Sequence, residues 1–388
     1  MRPSQTELVS TSRRGFLRVA AAATAWSAAP PRDATAAQRG LIVRSSRPLD
    51  AETPVSEFVH YLTPNDHFFV RSHLSVPAVV LAPWTVEIGG EVERPQTLDL
   101  AEIARLKQVT VTAVLQCAGN GRAYFEPKIP GVGWERGAVG NAEWTGVRLR
   151  DVLKRAGIRP GAAHVHLLGA DRPPNPKTPA FLRSIPLEQA LAPEVLLAIR
   201  MNGEPLPTAQ GGPIRLVVPG WYGNHWMKWV RRISVEREMA DGFYMQTAYR
   251  IPKVPAPPGA EVKPQDLDYV TRMNVKSLIV APEPHAILSR RPVEIRGVAW
   301  TGSGKVTRVD VATAEDAPWR PAEFVGPDRP FAWRPWRLVW EPSAPGPYVL
   351  RARAGDSQGD VQPDQTPWNR SGYSWNSIER VPCEVRPT

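Results

Sequence analysis

Apolar residues along this chain change period partway through, and the change marks a change of domain. Val111 to Leu115 is a β-branched apolar run that predicts a buried strand. Leu149, Val152, Leu153 and Ala156 fall at i, i+3, i+4 and i+7, and Gly157 follows as a stop, so that stretch predicts an amphipathic helix. Ile214 to Val218 is a second buried strand, ending at Pro219-Gly220. Beyond a proline-rich stretch with Pro252, Pro255, Pro257 and Pro258, the pattern becomes short apolar runs: Val293 to Val298, Val306 to Val311, Arg337 to Trp340 and Tyr348 to Ala352. Gly/Pro turns separate them and no helical period intervenes, which is the spacing of an antiparallel sandwich of immunoglobulin type. The expected fold is therefore α+β: a mixed α/β domain over residues 38–250, a semi-rigid linker over 251–264 and an immunoglobulin-like β-sandwich over 265–388.

One apolar run has a different reading. Val19 to Ala29 follows Ser12-Arg13-Arg14-Gly15-Phe16-Leu17-Arg18 and precedes small residues at Ala34, Ala36 and Ala37. A charged start, a short apolar middle and a small-residue end describe an export leader, and the paired arginines specify the twin-arginine route. The run is too short to span a membrane. Residues 1–37 are thus expected to be removed on the way to the periplasm, in a protein exported already folded, a route suited to a complex cofactor. Their loss lowers the net charge from +10 to about +7. No Lys/Arg block interleaved with aromatics occurs, so a small anionic substrate accounts for the basic balance better than nucleic acid does. Only Cys117 and Cys383 are present, which excludes a disulfide scaffold, and the absence of C-x-x-C-H leaves no attachment site for a c-type haem.

The chemistry centres on Gln116-Cys117-Ala118-Gly119-Asn120-Gly121-Arg122. The small residues let the backbone bend and let a large group approach, and a thiolate there suits a soft metal. Taken alone, the segment reads better as a small buried structural cysteine than as a metal ligand. Four more segments change that reading: Phe68-Phe69-Val70-Arg71-Ser72-His73-Leu74, then Gly169-Ala170-Asp171, then Met201 to Pro207 leading to Pro213-Ile214-Arg215, and finally Lys228-Trp229. In this order, with Trp368-Asn369, Gly372 and Asn376 near the C-terminus, they resemble the sulfite oxidase family of molybdopterin enzymes, and within it the bacterial periplasmic sulfite dehydrogenases. The likeness covers nearly the whole chain after the leader.

That resemblance implies Mo-molybdopterin, with one molybdenum ligated by Cys117. It implies that Val70, Arg71, Ser72, His73, Leu74, Asp171, Gln210, Arg215, Trp226, Met227 and Lys228 hold the pterin and its phosphate. Gln210 stands where vertebrate members have histidine, and Ser72 where asparagine is usual. The family's C-terminal substrate arginine falls on Ser371, with Arg370 one place earlier, and one residue on a strand changes the face. Anion recognition is therefore expected from Arg71 and Arg122, assisted by His73. Tyr249, at the family's spacing after Lys228, is the expected active-site phenol. The implied activity is oxidation of sulfite to sulfate, with electrons leaving to an external c-type cytochrome. The alternatives are a sulfane-sulfur dehydrogenase subunit of a thiosulfate-oxidising complex, or an exported binding protein without chemistry. A homodimer through the sandwich is expected, with Trp333 and Trp336 read as loop residues offered to a partner and Trp340 as core.

Overall fold

The computed structural model describes residues 40–77 and 84–387. The leader therefore lies outside the described residues. No helix among them is long and apolar enough to cross a membrane.

The N-terminal domain is built on two five-stranded sheets. In the first, the Gln108–Gln116 strand pairs antiparallel along its whole length with Val139–Arg148, which pairs in turn with Leu196–Met201. Arg215–Val217 joins the last of these. The predicted strands at 111–115 and 214–218 are both in this sheet. In the second, Thr85–Gly90 and Val230–Glu236 run parallel, and Gln96–Asp99, His164–Gly169 and Leu182–Pro186 complete it antiparallel. Val114, Ala142, Leu197, Leu216, Val165 and Ile233 are fully buried between these elements.

Helix is scarcer than the α+β reading suggested. Leu149–Ala156 forms as expected, buries Leu149, Val152, Leu153 and Ala156, and stops at Gly157, whose φ of 73° suits glycine. Leu100–Arg105 is a second helix, started by a capping box between Asp99 and Glu102. The remaining α-helices among the described residues, Leu187–Ala190 and Phe243–Gln246, are single turns.

The C-terminal domain is the expected sandwich. One sheet holds Lys276–Ala281, Val293–Trp300, Arg334–Trp340 and Glu323–Phe324; the other holds Ala286–Ser289, Val381–Arg386, Gly346–Asp356, Val306–Ala312 and Arg320–Pro321. Ile295, Val309, Leu350, Val381 and Trp340 fill its centre. The proline-rich stretch is not an open tether. Arg250–Pro252 pairs antiparallel with Leu267–Tyr269, and the Arg250 guanidinium donates to the carbonyls of Pro264 and Leu267 at 2.8 and 2.7 Å, closing the loop at its base.

The tryptophans overturn the surface reading. Trp336 belongs to the Arg334–Trp340 strand and is buried in the sandwich core. Trp333 is also fully buried, but in the other domain's core: its ring meets Phe58 edge-on at 5.2 Å and its Nε1 donates to the Tyr61 carbonyl at 2.9 Å. Trp333 thus joins the two domains within one chain, and Trp336 fills the sandwich, so neither indole is offered on the surface. The Gly/Pro-rich segment around them hid a strand, because Pro335 sits opposite Val298 and still allows the ladder to continue.

Candidate functional site

The Cys117 loop begins where the Gln108–Gln116 strand runs out. Cys117 N–H donates to the Ala138 carbonyl at 2.9 Å, and the Cys117 carbonyl accepts from Asn120 N–H at 3.0 Å. Asn120 Oδ1 accepts from Ala138 N–H at 3.1 Å, locking the turn to the neighbouring strand. Gly121 has φ 89°, and a Cβ there would lie 2.4 Å from the Trp375 ring, so this position needs glycine on both counts. The second domain clamps the loop: Ser374 N–H donates to Ala118 O at 2.9 Å, and Trp300 Nε1 donates to Gln116 Oε1 at 2.9 Å.

Cys117 opens into a cleft of about 660 Å³, counting space shared with solvent. Of the residues expected at the site, Arg71, Ser72, His73, Asp171, Gln210, Arg215, Trp226, Met227, Lys228 and Tyr249 line it with Cys117. Val70 and Leu74 do not; they are buried in the core, and Val70 exchanges backbone hydrogen bonds with Ala51. Simple alternation does not explain this, because Ser72 shares the cleft with Arg71 and His73; the bridge between Val70 and Ala51 holds Val70 inward, and Leu74 packs into the core. Arg122 also lies off the lining: its Nε donates to Ser371 O and its Nη1 to Val132 O, each at 3.2 Å, and its guanidinium sits 5.3 Å over Tyr373. Arg370 is exposed. Phe181 and Asn224 line the cleft too, and no pattern local to either residue signalled it.

Charge in the cleft is unbalanced. Arg71 uses Nη1 on both oxygens of Asp50, each at 3.1 Å, and on the Ser72 carbonyl. Its Nε and Nη2 have no protein partner among the described residues. Arg215 is 2% exposed and meets no carboxylate among the described residues; its guanidinium donates to the carbonyls of Gln210, Trp226 and Leu216 and lies 5.0 Å over Trp144. Desolvation alone pulls it down to about 9. Lys228 donates to Ser72 Oγ at 2.9 Å and Ala209 O at 3.1 Å, and burial followed by Arg215 lowers it to about 7. Burial pushes the carboxyl of Asp171 up, with Lys228 pulling the other way. Gln210, in contrast, uses its amide N–H groups on the carbonyls of Phe68 and Phe69, at 3.1 and 3.0 Å, and so holds the 68–74 segment in place.

On the other wall, Tyr249 hydrogen-bonds His73 Nε2 and stacks on Tyr373 at 5.0 Å. Burial raises the Tyr249 phenol far above its usual range. Burial, then Arg71 and Arg183, hold His73 well below its usual value, so its imidazole is neutral. Phe181 stacks on the same imidazole at 4.2 Å.

Among the described residues no three His, Cys, Asp or Glu side chains converge on a common point. A metal bound at Cys117 would therefore bring most of its ligands with it, as an organic dithiolene cofactor does. Arg215 and Lys228, buried cations short of anionic partners, suit that cofactor's phosphate. The residues present fit such a group.

Comparison with known proteins agrees. Residues 73–244 match the family described as "Oxidoreductase molybdopterin binding domain", and residues 268–386 match "Mo-co oxidoreductase dimerisation domain". The chain is 36% identical to mitochondrial sulfite oxidase of Mus musculus, over 89% of this chain and 66% of the mouse protein, so it spans just under two thirds of that relative. It is 34% identical to sulfite oxidase of Arabidopsis thaliana, over 92% of this chain and 95% of the plant protein. The crystal structure of the sulfane dehydrogenase SoxCD from Paracoccus pantotrophus superposes with a TM-score of 0.77 at 28% identity, covering 92% of this chain and 91% of that one. An oxidoreductase fold with a molybdopterin-binding cleft and an appended dimerisation domain is thus defined. The chain belongs to the sulfite oxidase family of molybdopterin oxidoreductases.

Proposed function

We propose that this protein oxidises sulfite to sulfate in the periplasm and passes electrons to a separate c-type cytochrome. The observation that carries the reading is one cleft in which a lone thiol, an arginine with free donors and a buried phenol–imidazole pair face a bank of unpaired cations. Cys117 would ligate molybdenum, and Arg215, Lys228, Ser72 and Asp171 would hold the pterin and its phosphate. When bound, the cofactor supplies oxygen-atom transfer and a two-electron redox couple. Arg71 draws the sulfite anion in and orients it through the donors that Asp50 leaves free. Tyr249 turns its single O–H from His73 towards the entering anion, and neutral His73 is the acceptor for that proton when it leaves the phenol.

The twin-arginine leader supports the location, and lysines in place of Arg13 and Arg14 should leave the precursor inside the cell. The test of function is metal analysis of the exported protein, then sulfite-dependent reduction of an artificial acceptor. Near-stoichiometric molybdenum with turnover supports the reading; molybdenum-free folded protein would favour an exported binding protein. The likeness to a sulfane dehydrogenase, and the exposed side chain of Arg370 where a substrate arginine was a candidate, favour a second reading, a sulfur atom held on a carrier. Turnover with such a substrate but not with sulfite would select it. The dimerisation domain supports a homodimer, and sedimentation as a monomer at micromolar concentration would refute it.

A further inference from the structure

Arg183 is a site-proximal cation whose position neither cofactor holding nor sulfite entry explains. It lies on the Leu182–Pro186 strand, two residues after Phe181, and is fully buried. Phe181 immediately precedes that strand and stacks on His73; two residues further along the extended backbone, Arg183 comes to lie against the Tyr249 ring. No carboxylate among the described residues pairs with it. Nη1 donates to the Tyr244 carbonyl, and Nη2 reaches the His225 ring, 3.1 Å from Nε2. Nε is buried with no partner. The guanidinium carbon stands 5.2 Å from the centre of the Tyr249 ring. A buried, unpaired guanidinium is costly, and its contacts are all to the segments carrying the phenol–imidazole pair or to aromatic faces.

We propose that Arg183 is a positioning residue for the anion site, a fixed positive charge under Tyr249 that polarises the phenol towards an incoming oxyanion and holds the Tyr249–His73 pair in place. The cation faces the ring, so electron density is drawn away from the O–H and the phenol becomes a stronger donor. It supplies from below the positive charge that residues 370–373 do not bring to the cleft wall: Arg370 is exposed and the Ser371 carbonyl accepts from Arg122. The guanidinium does not line the cleft, so its action runs through Tyr249. The inference rests on the proposed sulfite chemistry for its substrate, but not for its mode of action.

The test is a double-mutant cycle on holoenzyme, read by sulfate binding in calorimetry and by sulfite KM and kcat separately. Two neutral replacements of different shape, Arg183→Gln and Arg183→Met, guard against a local packing defect. Molybdenum content and thermal midpoint report whether each variant is loaded and folded. Each replacement should weaken sulfate binding and raise KM about tenfold, while Arg183→Lys should recover most of the loss. On a Tyr249→Phe background the same replacement should cost less than twofold, because the group it acts through is gone. An undiminished tenfold loss on that background would overturn the proposal, as would unchanged sulfate binding in the loaded, folded single variants. A wild-type enzyme that binds sulfate but does not oxidise sulfite would defeat the substrate reading alone, leaving the binding cycle fully readable.

Discussion

Burying Lys228 without a full counter-charge makes the cofactor-free protein's stability depend on pH in a particular direction. The folded protein holds this ammonium at about 7, by burial first and Arg215 second, against an ordinary value of 10.5. Between these values the unfolded chain binds the extra proton and the folded chain does not. Stability therefore rises with pH across that window; the penalty is full below pH 7 and fades toward pH 10.5. The whole penalty corresponds to ~5 kcal/mol at most. Lys228 keeps a partly exposed edge on the cleft, and water there screens the charge, so about 2 kcal/mol is expected between pH 6 and pH 9. The perturbation is Lys228→Met, compared with wild type, both cofactor-free, by urea midpoint at each pH. Other titrating groups cancel largely in the difference, including Lys276, which burial lowers to about 8 with the same sign. Wild type should gain little on the variant between pH 6 and pH 7 and then steadily up to pH 9. Loading with cofactor should flatten the wild-type rise, because an anion beside Lys228 favours its charged form. Parallel pH profiles for the two cofactor-free proteins would refute the reasoning.

Three further outcomes are expected. Cys117→Ser should leave a folded protein, by circular dichroism and thermal midpoint, whose sulfite-dependent acceptor reduction falls to background, since a neutral hydroxyl is a poor substitute for a thiolate ligand. Gly121→Ala should lower stability by ~2 kcal/mol or more, because the added methyl meets the Trp375 ring at a positive φ; chemical denaturation measures it, and an unchanged midpoint would show that Trp375 can move aside. Trp333→Ala should cost ~3–5 kcal/mol as a buried aromatic joining the two domains, and limited proteolysis near residues 329–335 should become faster.

The sequence determined what is local. The Leu149–Ala156 helix, its Gly157 stop, the strands around 111–115 and 214–218 and the alternating runs of the sandwich all follow from apolar period and turn chemistry, which need only neighbours along the chain. The order of five motifs was legible too, because each site segment carries its own residue types. Which members of those segments reach the cleft was decided by packing. In Phe68 to Leu74, Val70 and Leu74 turn into the core while Arg71, Ser72 and His73 face the cleft, a choice set by the backbone pairing of Val70 with Ala51. Arg122 sits five residues from Cys117 in the chain, yet its guanidinium is held by Ser371 and Val132, partners that only the folded chain brings near. Trp333 and Trp336 stand three apart among prolines; strand register placed Trp336 in the sandwich core, while Trp333, just before that strand, packs into the other domain's core. Arg183 carried no signal of its own, since a single arginine before Ser-Ile-Pro is ordinary in sequence. Its meaning comes from burial, from the absence of a carboxylate partner among the described residues and from the Tyr249 ring above it, and long-range packing alone creates all three.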